Sequence, residues 1–211
     1  KLWQEGLVYQ GYKVMPYSYR LGTPLSNFEA NMDYRKVQDP AVTVSFPLVD
    51  DPSRKLLAWT TTPWTLPSNM ALCVGPEVAY VEVRKSGEEG TWIVARARME
   101  ALLGEDVEVV AEHVGADLVG LSYTPLFDEY SDRRAEGAFR VVQDAYVTDS
   151  DGTGVVHMAP AFGEDDARVC QRDGVPMVDP IDDEGRFTDV FPAFEGRVVK
   201  EADPEILKLL K

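Results

Sequence analysis

Short apolar runs with the composition of β-strands, rather than long amphipathic helices, dominate this chain of 211 residues. The runs are rich in β-branched and aromatic residues and are separated by Gly, Pro, Asp and Asn, which is typical of strands joined by turns. They read VTVSFPLV, KLLAWTT, MALCVG, AYVEVRK, GTWIVAR, DVEVVAEHVG, LVGLSYTPLF, AFRVVQDAYVT and TGVVHMAP. The sequence shows no regular alternation of strands with long helices. It therefore predicts a β-rich α+β domain with a β-barrel-like sheet and a few short peripheral helices.

Helix signals are confined to four short segments. They read KLWQEGLVYQG, ARMEALLG, GEDDARVCQRDG and DPEILKLLK. In the first segment the large apolar residues share one face, and Gly11 is a suitable residue to end the helix. In the last segment, Asp203 is the expected N-cap and Pro204 the first helical residue.

Composition and charge limit the classes of function. The net charge of -15 argues against binding of nucleic acid through the overall field of the protein. No apolar run approaches the roughly 18–20 residues of a membrane span, and the first residues lack the pattern of a signal peptide. Cys73 and Cys170 are too few for a disulfide framework, so we expect buried free thiols in a cytoplasmic protein. The two Cys and two His lack paired ligand spacing, so no metal site is predicted.

The stretch AWTTTPWTLPSN, residues 58–69, holds four threonines, two tryptophans and two prolines. A strand accepts Thr and Trp, but it accepts Pro only at an edge, a bulge or an end. The stretch therefore predicts a strand that stops and becomes an irregular turn around Pro63 and Pro67. By strand alternation, Thr60 and Thr62 share one face and Thr61 takes the other. A second dense polar stretch, GTGVVHMAPAFGEDD, occupies residues 152–166.

These two stretches together resemble the editing insertion, or CP1 domain, of isoleucyl-tRNA synthetases. The resemblance extends over nearly the whole chain through YSYRLGTPLSNFE, LVGLSYTPLF and IDDEGRFT. The related valyl and leucyl enzymes are expected to carry Arg-Pro-acidic-Thr where this chain has TTPWT. The His-x-Gly-His and Lys-Met-Ser-Lys-Ser signatures of aminoacylation are missing. The resemblance therefore implies that residues 1–211 are one editing domain of a larger synthetase, with residues 1–30 and 190–211 as stems towards its catalytic body.

An editing domain of this family is an aminoacyl-tRNA ester hydrolase. One methylene contributes only about 1–3 kcal/mol to selectivity, a limit for which isoleucyl-tRNA synthetase is the standard illustration. The resemblance thus implies hydrolysis of valine from tRNA(Ile), with Val-AMP as a further substrate and the rest of the synthetase as a partner in cis. No cofactor is expected in this domain, because ATP, Mg and zinc would belong to other parts of the enzyme. Only the aminoacylated 3′ end of the tRNA would enter the domain. The acidic net charge of the domain is therefore compatible with a tRNA substrate.

The resemblance also assigns roles to eight residues. The candidate catalytic residues are Asp166, Thr62, Thr61 and Thr60, and the candidate substrate-binding residues are His157, Thr65, Asn69 and Trp59. Asp166 would hold the ammonium group of the aminoacyl ester through a charge-assisted hydrogen bond. The threonine hydroxyls would donate to the developing oxyanion, position a water molecule or hold the terminal adenosine, with Thr61 and Thr62 near the substrate.

The remaining assignments concern the walls of the pocket. His157 would shape the pocket and reject the isoleucine side chain, with base catalysis as the weaker alternative. Asn69 would contact the ribose or hold the loop. Trp59, the candidate for substrate binding, and Trp64 are most economically core or loop anchors. One of the two would flank the unpaired terminal adenine, since aromatic rings stack on such bases.

Three alternatives use the same residues differently. A valyl- or leucyl-type editing domain would have the same chemistry and another substrate. A non-catalytic β-barrel module would bind an aminoacyl ester without turnover. A metal-dependent hydrolase would use Asp149, Asp151, Asp165 and Asp166 as oxygen ligands and would lose activity in chelator.

Overall fold

The strands form one curled eight-stranded sheet and a separate two-stranded ribbon. The computed structural model describes residues 1–32 and 35–211. Within these residues the strands are β1 Tyr17–Ser18, β2 Thr23–Pro24, β3 Val42–Pro47, β4 Arg54–Thr60, β5 Ala71–Val74, β6 Ala79–Lys85, β7 Thr91–Ala95, β8 Val107–Val114, β9 Arg140–Gln143 and β10 Val155–Met158. The prediction of a β-rich α+β domain is confirmed.

The order of the large sheet is β8-β6-β7-β4-β10-β5-β9, and β3 pairs with β4 outside this path. Strand β3 covers one edge of β4 along its length. The opposite edge of β4 is shared, because it pairs with β7 over residues 54–56 and with β10 at Trp59. The sheet therefore divides at the end of β4, which is where the threonine-rich stretch begins.

Three apolar clusters hold the elements together. The largest fills the sheet interior and includes Phe46, Met70 and Tyr123, each 0% exposed. A second cluster joins Phe187, Phe191 and Phe194 to one helix face near the C-terminus. Full burial of one phenylalanine side chain stabilises the fold by about 1.5–3 kcal/mol relative to leaving it exposed. The third cluster is small and lies between β4, β6 and β7.

The helices are short and lie around the sheet. They are α1 Asn27–Ala30, α2 Met99–Leu103, α3 Gly115–Leu118, α4 Glu164–Asp173 and α5 Val199–Leu209, with 3-10 helices at Pro63–Ser68, Arg96–Arg98 and Ser131–Glu136. Cys73 and Cys170 are buried free thiols, as predicted. Among the described residues, none of the helices has the length and apolarity needed to cross a membrane.

Three predictions of local structure are wrong. The helix predicted for residues 1–11 is a series of turns, because Gly6 has φ 70° and large apolar side chains such as Trp3, 66% exposed, are not covered. A helix this short needs burial of its apolar face to be stable. The run LVGLSYTPLF forms only isolated bridges at Ser122 and Tyr123, because it is broken after Val119 by Gly120 with φ 87°.

The third error concerns the beginning of the last helix. Helix α5 begins at Val199, so Asp203 lies inside it instead of capping it. Asp203 is 3% exposed, and burial raises the pKa of its carboxyl, a rise that the nearby Trp64 backbone opposes. The side chain thus lies where α5 packs against the 3-10 helix Pro63–Ser68. The division of the chain into a domain body and two stems stays a prediction.

Candidate functional site

The sheet order brings the two motif stretches together, although they are far apart in the sequence. Strand β10 lies between β4 and β5, with Val156 opposite Trp59 and His157 opposite Leu72. A cavity of about 220 Å³ opens where these strands end. It is lined by Trp59, Thr60, Thr61, Thr62, Thr65, Val156, His157, Ala159, Phe162 and Asp166.

The threonine hydroxyls form a connected series, here called the threonine row (Thr60, Thr62 and Thr65). Thr62 precedes the 3-10 helix, and the Thr65 hydroxyl donates to the Thr62 carbonyl at 2.8 Å. The Thr62 amide donates to Thr60 Oγ1 at 3.1 Å. Thr62 Oγ1 lies 3.2 Å from Thr60 Oγ1 and 3.3 Å from Thr65 Oγ1. These two contacts are the longest in the row, so the Thr62 hydroxyl can turn to a substrate at the least loss.

His157 forms the buried end of this row, and its partners determine its tautomer. Asn69 Nδ2 donates to the Ala71 carbonyl at 3.0 Å and lies 2.8 Å from His157 Nδ1, which must therefore accept. The proton is then on Nε2, which donates to Thr65 Oγ1 at 3.0 Å. The Thr65 oxygen can accept this proton because its own hydroxyl donates to Thr62.

Burial keeps this imidazole neutral. It lowers the pKa of His157 to about 4. The Nδ1 lone pair faces Asn69, and Nε2 carries a proton, so neither nitrogen can accept a proton from water without breaking a buried hydrogen bond. The geometry therefore supports a role of His157 in the pocket wall and gives no support to base catalysis.

Asp166 supplies the negative charge of the cavity. It lies in the first turn of α4, and its Oδ2 accepts a hydrogen bond from the Ala159 amide at 2.8 Å. Burial raises the pKa of this carboxyl to about 6, and the negative charge of Asp165 adds to the rise. A Cβ on Gly163 would lie 2.7 Å from Asp166 Cγ, so only glycine leaves room for the carboxylate.

Two arginines of α4 hold this helix on the sheet. Arg168 Nη1 and Arg172 Nη1 lie 2.9 Å and 2.7 Å from Asp144 Oδ2, at the end of β9. The hydrogen bond from Arg168 holds the pKa of Asp144 well below its usual range. The two arginines are one helical turn apart, so both can reach the same carboxylate. This contact fixes α4 and thereby the position of Asp166.

The two tryptophans of the first motif have different environments. Trp59 is 41% exposed and separates the cavity from a neighbouring one of about 190 Å³, which it also lines. Trp64 lies in the 3-10 helix and contacts Phe162 edge to face, with 4.9 Å between ring centroids. It also packs against the cluster of Phe187, Phe191 and Phe194. Trp64 is thus a loop anchor, whereas Trp59 is a wall of both cavities.

Seven of the eight predicted site residues line one cavity. The exception, Asn69, is 3% exposed and lies behind His157, where it holds the loop. Sequence reasoning missed the Ala159 amide and Phe162, although both lie inside the second motif. It also missed Tyr123, whose hydroxyl donates to Asn69 Oδ1 at 2.6 Å.

The described residues offer no group of three His, Cys, Asp or Glu side chains that could hold a metal ion. Asp149 and Asp151 are exposed on the loop before β10, and Asp165 pairs with Arg168 at 2.8 Å. The metal-hydrolase alternative therefore lacks a ligand set in this part of the chain.

Comparison with known proteins defines the class to which this fold and site belong. The family of class I tRNA synthetases for isoleucine, leucine, methionine and valine matches residues 1–181, and the chain belongs to this family. The chain is 51% identical over 214 residues to the isoleucine–tRNA ligase of Bdellovibrio bacteriovorus, covering 100% of this chain and 20% of the relative. It is 50% identical over 219 residues to the cytoplasmic isoleucine–tRNA ligase of Mus musculus, covering 100% of this chain and 17% of that protein.

The chain thus spans about a fifth of the length of the curated relatives it matches. The fold is similar to the crystal structure of GlLeuRS-CP1, with a TM-score of 0.58 and 17% identity over 81% of this chain and 95% of that chain. The resemblance to the editing domain of isoleucyl-tRNA synthetases is confirmed. The high identity to isoleucine–tRNA ligases favours the isoleucyl type over the valyl and leucyl types.

Proposed function

We propose that this chain hydrolyses the ester between valine and tRNA(Ile), as the editing site of an isoleucine–tRNA ligase. The observation that carries the proposal is the half-buried carboxylate of Asp166 in a small cavity that is also lined by the hydroxyls of the threonine row. An aminoacyl ester presents the complementary groups, a free ammonium and an ester carbonyl about two bonds away. The same site would accept Val-AMP, which has the same ammonium and an activated carbonyl.

The reaction needs three contributions from the protein. Asp166 holds the ammonium group and so fixes the carbonyl carbon in the cavity. The Thr62 hydroxyl leaves its long contacts and either donates to the carbonyl oxygen or positions the attacking water. Water adds to the carbonyl carbon, the bond to the ribose oxygen breaks, and that oxygen takes the proton. An adjacent ribose hydroxyl of the substrate assists this transfer, since the site's imidazole is committed elsewhere.

Orientation supplies much of the rate, because an aminoacyl ester is already activated. His157 limits the depth of the cavity and thereby excludes the larger isoleucine side chain. Trp59, which lines both cavities, would contact the terminal adenosine of the tRNA. The remaining tRNA would be held by other parts of the synthetase in cis, in the cytoplasm. This division of labour fits a domain with a net charge of -15.

The test is deacylation of valyl- and isoleucyl-tRNA(Ile) by the chain and by two variants, Asp166→Ala and Asp165→Ala. Asp165 is the adjacent, exposed carboxylate and provides a matched control. We expect loss of valine only, abolished by the first variant and kept by the second. Equal activity of Asp166→Ala would exclude the ammonium anchor, and binding without turnover would favour a non-catalytic module. If the chain alone binds tRNA too weakly, the same variants are compared within the full-length synthetase.

A further inference from the structure

We propose that Tyr123 is a positioning residue of this site: its hydroxyl orients the Asn69 amide, which holds His157 in the tautomer with the proton on Nε2. The inference rests on the proposed function for its effect on hydrolysis, but the tautomer itself can be observed without any substrate. Tyr123 lies outside the cavity lining and would act only through Asn69 and His157.

The hydrogen bonds of Asn69 leave its amide a single good orientation. Its Oδ1 accepts the Tyr123 hydroxyl proton at 2.6 Å. Its two Nδ2 protons go to the Ala71 carbonyl at 3.0 Å and to His157 Nδ1 at 2.8 Å. Turning the amide by 180° would place two oxygens together at Ala71 and would offer His157 an acceptor instead of a donor. The Tyr123 hydroxyl favours the observed orientation, because it needs an acceptor and is itself 0% exposed.

The backbone around Tyr123 is built to keep this hydroxyl in place. Phe139 is the non-glycine residue with positive φ among those described, at 61°. In this conformation its amide donates to the Met70 carbonyl at 2.7 Å, while its carbonyl accepts from the Tyr123 amide at 3.0 Å. A left-handed conformation of a bulky residue persists only where its surroundings determine it strongly. Phe139 thus joins Tyr123 to the residue directly after Asn69.

Aromatic contacts fix the Tyr123 ring as well. It meets Phe46 edge to face at 5.2 Å between centroids and Phe139 at 6.2 Å. The ring therefore has little freedom to move its hydroxyl away from Asn69. Both the position of the donor and that of the amide are determined by the same part of the core.

The tautomer matters because it sets the direction of hydrogen bonds along the threonine row. With the proton on Nε2, His157 donates to Thr65, and Thr65 donates to the Thr62 carbonyl. With the proton on Nδ1, Nε2 would take the Thr65 proton instead, and the Thr62 carbonyl would lose the Thr65 hydroxyl and keep the Thr65 amide, at 3.0 Å, as its donor. The position of the Thr62 hydroxyl would then be less well defined.

The test is nitrogen NMR of the chain labelled with 15N-histidine. The chain has two histidines, so a His113→Gln variant assigns the signals. In the unsubstituted chain we expect His157 to show one protonated nitrogen, Nε2, and one unprotonated nitrogen, Nδ1. In Tyr123→Phe the two nitrogen shifts should move towards each other, as expected for a mixture of tautomers. Tyr80→Phe is the matched control, since Tyr80 is also 0% exposed and its hydroxyl donates to the Gly154 carbonyl.

A second variant gives the opposite result. In Asn69→Asp the carboxylate must accept from His157, so the proton should move to Nδ1 and the pattern of shifts should invert. Unchanged His157 shifts in Tyr123→Phe, or equal changes in Tyr80→Phe, would overturn the proposal.

Hydrolysis provides the independent readout. In Tyr123→Phe, deacylation of valyl-tRNA(Ile) should fall about 3- to 10-fold, as expected for the loss of one hydrogen bond. If the His157 tautomer shifts in Tyr123→Phe but no form of the protein cleaves the ester, the positioning role of Tyr123 is supported and the proposed function is wrong. If the unsubstituted chain cleaves the ester and Tyr123→Phe keeps both the rate and the His157 tautomer, the positioning role of Tyr123 is wrong and the proposed function is kept.

Discussion

His157 and Asp166 line the same cavity, and burial shifts the pKa of each, but the two groups differ in how their polar atoms are satisfied. Both nitrogens of His157 have buried partners in Asn69 and Thr65. The Asp166 carboxylate has backbone amides as partners, and none of the described residues pairs a cation with it. A wall with complete hydrogen bonds keeps its shape, whereas a carboxylate with incompletely balanced charge gains from binding a cation. The first property suits steric selection and the second suits recognition of an ammonium group.

The largest expected effect comes from Asp166→Asn, which should change activity and stability in opposite directions. Loss of the buried charge should lower valyl-tRNA(Ile) deacylation by about 100-fold or more, the range seen when one partner of a buried ion pair is removed. Stability should rise at neutral pH, because ionised Asp166 is unfavourable in the folded state. Its pKa is about 6 when folded, so its ionisation lowers the free energy of unfolding as pH rises from 3.8 to 6.

The measurement is urea unfolding of the unsubstituted chain and the Asn variant at pH 3.5 and pH 7. The variant should gain about 3 kcal/mol relative to the unsubstituted chain between these pH values, at about 1.4 kcal/mol per pKa unit. Asp165→Asn should show no such gain. A constant difference between the two chains would contradict the burial of charge at Asp166.

The next effect is a pH dependence of folding stability at His157, opposite in sign to that at Asp166. Its pKa is lowered to about 4, so the unfolded state binds the proton first, and folding loses stability as pH falls from 6.5 to 4. Relative to His157→Gln, the unsubstituted chain should lose about 3 kcal/mol over this range. Unfolding at pH 7 and pH 4 measures the difference. An equal loss of stability in the unsubstituted chain and in His157→Gln would show that a group other than His157 titrates in this range.

A smaller effect is expected for selectivity. His157→Ala should enlarge the cavity and raise deacylation of isoleucyl-tRNA(Ile) by about 10-fold, since one methylene is discriminated only 10- to 200-fold by a pocket. Hydrolysis of the valyl ester should change less than that of the isoleucyl ester. The ratio of the two single-turnover rates is the measurement. An unchanged ratio of the two rates would show that His157 does not determine the selectivity.

The smallest effect concerns the support of Asp166. Asp144→Asn should weaken the contact of α4 with the sheet, lowering stability by about 1–3 kcal/mol and deacylation about 3-fold. Asp149→Asn, at an exposed position, is the control. A loss of activity as large as that of Asp166→Asn would show that Asp144 does more than hold the helix.

The sequence predicted the positions of site residues best where the local pattern and the chemistry of the residues agree. The expected proximity of Thr60 and Thr62 agrees with their 3.2 Å contact, but β4 ends at Thr60 and Thr61 lines the same cavity, so alternation did not separate Thr61 from the other two. Acidic residues at a helix start correctly placed Asp166 in the first turn of α4. The family resemblance added what alternation lacks, since it identified which of many polar residues belong to one site.

The rest depends on packing that no short window contains. The insertion of β10 between β4 and β5 is set by long-range pairing, so spacing in sequence does not reveal it. Tyr123 lies in the run LVGLSYTPLF, which has strand composition but forms only isolated bridges, and its partner Asn69 is 54 residues away. The helix pattern of residues 1–11 failed for the same reason, because a periodic apolar face forms a stable helix only when something covers it.

The role of Asp166 as the ammonium anchor can be tested by asking whether ligand binding displaces a proton from its carboxyl group. The probe is a non-hydrolysable amide analogue, 3′-valylamino-3′-deoxyadenosine, titrated calorimetrically at pH 6 in two buffers of different ionisation heat. An ammonium group that binds the ionised carboxylate should release about half a proton at pH 6, where the pKa lies. At pH 8 this release should disappear and about half a proton should be taken up by the α-amine of the analogue, whose ordinary pKa is about 7.7–8. Asp166→Asn should bind more weakly and release none. Binding of the analogue without proton release, or with equal release in the variant, would contradict the assignment of Asp166 as the ammonium anchor.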